Sequence, residues 1–395
     1  MFDRVVWSYN RSGGIEIKER PMRRQKRPWT LILVIFLIGI LIGVLIGYFY
    51  GLVVSQVGGE SIRLEMVYGS EKRGWIEEIS PLFEEWWEDE FPEVQLEVFF
   101  RPLGSRESMI SVITGGIKPT IWSPASTVWI PLVNLMWAEE RGSSEILVTE
   151  WEAFIYSPII IGTWENYAKQ GITGFQSLHD LALLPDSDLK FAHTNPQLSN
   201  SGFMAVILEA AVAASKNPAE LSLDDLKDDS VKQWMTELEA KAVYYGESTG
   251  FLIDQATETG PNGLNVFIVY ENLIIEKNLA GDPQAVWNQH LKAIYPEEGL
   301  LLSDHPFCIL NAPWVSDRQR WAAGEFFRFL QSEEILELAP EHGFRLFSTP
   351  EVPPDVFNSQ NGVESILTIP LHSSPQGEVL LRINDLWEVS KAKGA

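Results

Sequence analysis

Residues 62–68 alternate apolar and polar side chains, the period of a half-buried strand, and the run stops at Gly69-Ser70. From Gly74 the period lengthens. Trp75, Ile76, Ile79, Leu82, Phe83 and Trp86 fall on one helical face, with Glu77, Glu78, Glu84 and Glu85 largely around the other. A second strand pattern covers 94–100, and a short helical stretch at 106–114 ends at Gly115-Gly116. The brief apolar run 120–122 turns through Ser123-Pro124-Ala125-Ser126 into an amphipathic helix at 127–139. Strand, turn and helix thus repeat, and the repetition predicts an α/β fold with a largely parallel sheet.

Residues 153–163 form a longer apolar run with Pro158 near its middle. Proline bars a central strand position, so the pattern places a crossing between two sheets here. Beyond it, the strand-like run 189–192 meets His193-Thr194-Asn195-Pro196-Gln197-Leu198-Ser199-Asn200-Ser201-Gly202, and a helix runs from there to Ser215. An acidic, helix-rich segment at 221–243 leads to Tyr245-Gly246-Glu247-Ser248-Thr249-Gly250 and a helix from Phe251. The apolar strand 266–270 ends at Glu271-Asn272. Strands at 293–295 and 307–310 bring the chain back, 318–331 is an amphipathic helix, and the tail closes with a weakly helical end.

One stretch departs from all of this. Residues 29–54 carry no charge, and the run 31–51, about 31 Å long as a helix, spans a bilayer. Arg20, Arg23, Arg24, Lys26 and Arg27 precede it, while no Lys or Arg follows until Arg63, which predicts a cytoplasmic N-terminus and an external body. The run is too long for a cleaved signal's apolar region and lacks a small-x-small site, so an uncleaved signal anchor is the expectation. Gly39, Gly43, Gly47 and Gly51 lay a small-residue stripe along one face of that helix, open to a helix–helix partner.

Charge divides at the same place. The first 28 residues carry +5 and the remainder −29 of the net −24. An acidic body excludes the basic face that nucleic-acid binding needs. The one cysteine, Cys308, cannot form an intramolecular disulfide and reads as a buried apolar thiol.

The candidate chemistry collects where strands turn into helices. Ser70, Ser123 and Ser126, Asn195 with Ser199, Asn200, Ser201 and Gly202, and Ser248 with Thr249 offer hydroxyls, amides and free helix N-termini at the carboxyl ends of strands, where open α/β sheets bind ligands. Each turn alone reads equally well as a helix cap. Together they could wrap a small polar or anionic group in a cleft between two lobes, with Tyr270 and Glu271 reaching the same cleft. The chain has no His-Glu-x-x-His, Gly-x-Ser-x-Gly, Walker loop or dinucleotide fingerprint, so no enzyme is expected, and neither a cofactor nor a metal. His193, beside the cleft, and His305, after Asp304, read as hydrogen-bonded structural residues.

These motifs, followed by Tyr295-Pro296-Glu297-Glu298-Gly299 and Asp304-His305-Pro306-Phe307, succeed one another much as in the extracellular solute-binding proteins of ABC importers. The sequence resembles in particular the branch related to the sulfate and molybdate binders, some of whose members occur with von Willebrand factor A domains. The resemblance covers about residues 62–345 and implies a type II periplasmic-binding fold: two Rossmann-like lobes, a two-segment hinge, and ligand held by hydroxyls and backbone N–H groups. The expected divisions are a basic tail (1–28), a signal anchor (29–54), a linker (55–61), the first part of lobe 1 (62–157), lobe 2 (158–290), and a return crossing with lobe 1 completion and tail (291–395). The membrane helix stands where a lipobox or cleaved signal would be, as on a cell surface without a periplasm. Glu71 and Lys72 add charge beside the first turn and leave the ligand's charge open.

The leading expectation is therefore a membrane-anchored external binding protein that delivers a small solute to an ABC permease. The alternative keeps the fold and drops the transport: a surface module assembling with other membrane or von Willebrand factor A-type proteins. An anchored hydrolase ranks third, for want of a nucleophile–base pair.

Overall fold

The structure, a computed structural model, describes residues 61–375 and 377–394, together with two short strands, Ser8–Tyr9 and Ile15–Glu16, that pair antiparallel. The chain divides into two units, Met1–Glu60 and Ser61–Ala395. The expected anchor at 29–54, with Gly39, Gly43, Gly47 and Gly51, lies outside the described residues. Among those that are described, no helix is long and apolar enough to cross a membrane.

The second unit is built on two sheets. In the first, β1 (Ile62–Gly69) pairs parallel with β2 (Leu96–Leu103) and with β3 (Ile121–Ser123). Its helices are α1 (Arg73–Glu90), α2 (Ser105–Ile113) and α3 (Trp129–Arg141). The period-2 rule separates the two faces of this sheet: Ile121 joins a core with Phe83, Trp87, Phe326 and Phe329, whereas its neighbour Trp122 joins the core of Met109, Val112 and Trp137.

The second sheet is organised around β4 (Ile155–Trp164), buried along nearly its whole length. Elements β5 (Phe191–Thr194), α4 (Phe175–Ala182), α5 (Asn200–Ala213), α6 (Asp229–Glu239), β6 (Ala242–Gly246), α7 (Thr249–Thr259), β7 (Val266–Tyr270), α8 (Glu271–Ala280), α9 (Asp282–Trp287) and β8 (Leu291–Ile294) give the strand order β8-β4-β7-β5-β6. β5 runs parallel to β6 and β7, and β4 runs antiparallel to β7 and β8. Pro158 is accommodated inside β4, where Leu302 of β9 (Leu302–Ser303) stands opposite it.

The chain passes between the sheets three times rather than by the expected two segments. Glu152 and Phe307 form an antiparallel bridge just before β10 (Cys308–Ile309), which joins β3 in the first sheet. After α10 (Asp317–Leu330), α11 (Glu333–Leu336) and α12 (Leu338–Glu341), Phe344 packs in the first lobe, and β11 (Arg345–Leu346) pairs with the start of β4. The return to the first sheet thus comes near residue 304, later than 291. The tail also ends elsewhere: α13 (Glu378–Gly394) buries Ile383, Leu386 and Trp387 in the core that holds the second sheet.

Candidate functional site

Two helix N-termini of lobe 2 are joined by their hydroxyl side chains. Ser199 and Ser248 are the N-cap residues of α5 and α7, both in extended backbone, yet neither side chain caps its own helix. The hydroxyls instead form a ladder: Thr194 Oγ1 lies 2.8 Å from Ser201 Oγ, Thr249 donates to Ser201 at 2.8 Å, and Ser199 Oγ lies 3.3 Å from Thr249 Oγ1. In the first turn of α5, Gly202 N donates to Thr194 Oγ1 at 2.7 Å. A β-carbon at 202 would meet Thr194 O at 1.8 Å, so only glycine allows the approach.

Lobe 1 meets this surface directly. The Ser70 hydroxyl donates to Ser248 Oγ at 2.8 Å and accepts from Gly250 N at 3.0 Å, standing at the N-terminus of α7 where a ligand oxygen would. Trp129 Nε1 donates to Asn200 Oδ1 at 2.7 Å, and its ring lies against Phe203, 4.6 Å between centroids. Asn200 Nδ2 donates to Tyr270 Oη at 2.9 Å and to Ser303 Oγ at 3.0 Å. Leu198 O accepts from Arg106 N and Glu107 N, both at 3.0 Å, and Arg73 Nη2 pairs with Asp254 Oδ2 at 2.9 Å. The two lobes are closed on each other through polar groups.

Behind Ser70 sits a buried charged cluster. Lys72 Nζ lies 3.2 Å from Glu71 Oε1, 3.1 Å from Ser123 O, 3.4 Å from Pro124 O and 3.3 Å from His305 Nδ1. His305 Nδ1 is also 3.2 Å from Glu71 Oε1. Burial pushes the Lys72 ammonium and the His305 imidazole down, and Lys72 pushes His305 further. Burial alone would raise Glu71, but the Lys72 charge and the His305 hydrogen bond outweigh it and hold the carboxyl at about 2. His305 also adopts φ 42°, a left-handed conformation unusual outside glycine. Its Nε2 and Asn272 Oδ1 are buried atoms without a protein partner.

The Glu71 shift has a pH consequence. Because its folded pKa is depressed, its contribution is present above the ordinary value of 4.5 and is lost as pH falls towards about 2. The expected result is a urea midpoint that falls steeply below about pH 4.5 in wild type. In Glu71→Gln the acid limb should be flatter, with a midpoint lower than wild type's above about pH 4.5 and converging with it towards about pH 2. Parallel acid limbs in the two proteins would refute the assignment.

Of the residues marked in the sequence, Ser70, Ser199, Asn200, Ser201, Gly202, Ser248, Thr249 and Tyr270 thus gather at one polar junction, and Ser123 contributes its carbonyl. Three do other work. Asn195 accepts from Gln197 N within its own turn. Ser126 accepts from Val128 N and lines a surface groove of about 740 Å³ with Asp304 and His372. Glu271 is bound on both oxygens by Arg345. Trp129, Asn272, Ser303 and Arg73 were not marked. Their partners lie 71 or more positions away along the chain, beyond the reach of any local pattern.

Two α/β lobes, joined by extended crossings and meeting on helix N-termini and hydroxyls, define a two-lobed binding protein. The sequence profile of the bacterial extracellular solute-binding proteins matches residues 64–345, and the chain belongs to that family. A search of curated protein sequences finds no match. Among solved structures the fold is similar to a periplasmic thiamin-binding protein (TM-score 0.56, 12% identity, covering 85% of this chain and 98% of that one). It is also similar to the spermidine/putrescine ABC transporter substrate-binding protein PotD from Streptococcus pneumoniae (0.54, 13%, 84% and 99%). A third is the periplasmic binding protein AfuA from Actinobacillus pleuropneumoniae, with fructose-6-phosphate bound (0.53, 14%, 85% and 98%). At these identities the likeness concerns the fold.

Proposed function

We propose that this is a membrane-anchored external binding protein that captures a small polar solute between its lobes and delivers it to an ABC-type permease. One observation carries the reading: Ser70 of one lobe occupies the N-terminus of α7 in the other, as a ligand oxygen does in a closed binding protein. In this state the protein's own groups make most of the site's hydrogen bonds. A solute entering an opened cleft takes over some of those bonds and adds His305 Nε2 and Asn272 Oδ1.

Electrostatics narrows the solute. Glu71 and Lys72 cancel, and His305 is held towards its neutral form, so the buried cluster offers no net charge to balance an ionic guest. An uncharged or zwitterionic polar molecule fits this better than a lone oxyanion. Membership of the oxyanion-binder-related branch, the anchor at 29–54 and its cytoplasmic N-terminus belong to this proposal, as does a helix partner on the glycine stripe.

Thermal-shift screening of the full chain against polyols, sugars, amino acids, betaines and oxyanions tests it, followed by small-angle scattering on any hit. The expected hit raises the melting temperature and compacts the particle. A panel without any response sinks the transport reading. The direct backbone contact of Arg106 and Glu107 with Leu198 O favours a second reading in that event. The lobes would then be permanently closed, and the chain would serve as a surface module assembling with other membrane or von Willebrand factor A-type proteins.

A further inference from the structure

His193 is hydrogen-bonded as a structural histidine would be, and its ring packs against Tyr245 and Trp387 rather than in the cleft. Its Nε2 lies 3.0 Å from Glu239 Oε1, and a second carboxylate, Glu209 of α5, completes a group whose ligand atoms all lie within 4.8 Å of one another. All three side chains are buried in lobe 2. Glu209 is fully buried, and neither of its oxygens has a protein partner. A bare carboxylate in such a place is costly unless a cation or a proton compensates it.

We propose that His193, Glu209 and Glu239 form a buried site for a divalent cation that takes mixed imidazole–carboxylate ligands, such as zinc or manganese. Donors on one ion at about 2.1 Å sit roughly 3.0–3.4 Å apart, which the His193–Glu239 separation already meets. The outer contacts have the pattern such sites require. His193 Nδ1 lies 2.7 Å from Thr194 O, so its N–H donates there and the Nε2 lone pair is directed at the carboxylates. Tyr245 donates to Glu239 Oε2 at 2.5 Å and leaves Oε1 for the ion. One dication with two carboxylates and a neutral imidazole is electrically balanced.

Trp387 of α13 closes the site from outside, with its ring 6.1 Å from His193 and 5.4 Å from Tyr245. The ion is therefore structural. It ties β5 and α5, which carry the hydroxyl ladder, to α6. The site lies in lobe 2 alone and is independent of what the interlobe cleft binds.

The test uses the full chain purified without a histidine tag, with metal content measured by plasma mass spectrometry. The expected result is about one equivalent of zinc or manganese in wild type and less than about a tenth in Glu209→Gln, which keeps the shape but not the charge. Chelation should lower the wild-type melting temperature by about 4 °C or more, with recovery on adding back zinc or manganese alone. Glu209→Gln should respond to neither treatment. Metal-free wild type whose melting is indifferent to chelator and to both metals overturns the proposal and leaves a proton on Glu209 as the compensating charge. The wild-type arms decide the matter even if the variant fails to fold.

Discussion

Replacing Arg345 by methionine lowers the free energy of unfolding by about 3–5 kcal/mol, the cost of stripping one partner from a buried ion pair. Arg345 holds Glu271 with both arms of its fork, Nε to Oε2 at 2.7 Å and Nη2 to Oε1 at 2.8 Å. The same guanidinium donates to Glu364 O at 2.6 Å and Ser365 O at 3.1 Å, and lies 4.7 Å from the centre of the Phe357 ring. Glu271 is fully buried, so without Arg345 its carboxylate keeps only the Tyr295 hydroxyl. The loss should appear as a lower urea midpoint at unchanged slope, since the surface exposed on unfolding stays the same. Adding Glu271→Gln removes the orphaned charge and should recover about 2 kcal/mol, a coupling that independent sites do not show. A single-variant cost below about 1 kcal/mol would mean that water reaches the pair, as at a surface ion pair.

Hydrogen exchange sharpens this prediction. Arg345 begins the third crossing and binds the segment at 364–365 to lobe 2. Arg345→Met should therefore lose amide protection at 345–375 ahead of β5 and β7, which stay buried without it.

The residues involved show what the sequence could and could not disclose. Periodicity located the repeating units of lobe 1 closely: helix from Gly74 against α1 at Arg73, and 127–139 against α3 at Trp129–Arg141. It placed β7 at the bounds observed, because five consecutive apolar residues bounded by Leu264-Asn265 and Glu271-Asn272 leave little choice. The serine-rich turns were also legible, since a strand ending in small polar residues before an apolar helix is a local signal. What occupies those turns was not. Ser70 reads the same whether its hydroxyl meets a solute or Ser248, 178 positions on. Glu271 looked like a ligand residue because it follows a buried strand, and only the fold brings Arg345 to it across 74 positions. Likewise Glu209 lies in an otherwise apolar helical run, and nothing in that run announces Glu239 or His193.

Replacing Gly104 by valine should hold the lobes apart and weaken solute binding by about a hundredfold or more. Gly104 has φ −62° and ψ 145°, extended backbone that valine adopts readily, so lobe 1 itself is not strained. The obstacle lies across the junction: a β-carbon at 104 would stand 2.5 Å from Leu198 O, a backbone atom that cannot swing aside. Closure then forfeits the bonds from Arg106 N and Glu107 N to Leu198 O and loosens Ser70–Ser248. At about 1 kcal/mol each, three such bonds move the open–closed equilibrium by roughly two powers of ten. Gly250→Ala attacks the same junction from lobe 2, with its β-carbon 2.9 Å from Ser70 O. Both variants should show a larger radius of gyration than wild type, while near-ultraviolet circular dichroism reports intact packing within each lobe. A wild-type radius in both variants would mean that the junction yields locally, and the capture of a solute by closing lobes would lose its mechanical basis. Loss of fold in both would point instead to lobes that never part, the condition under which the assembly reading holds.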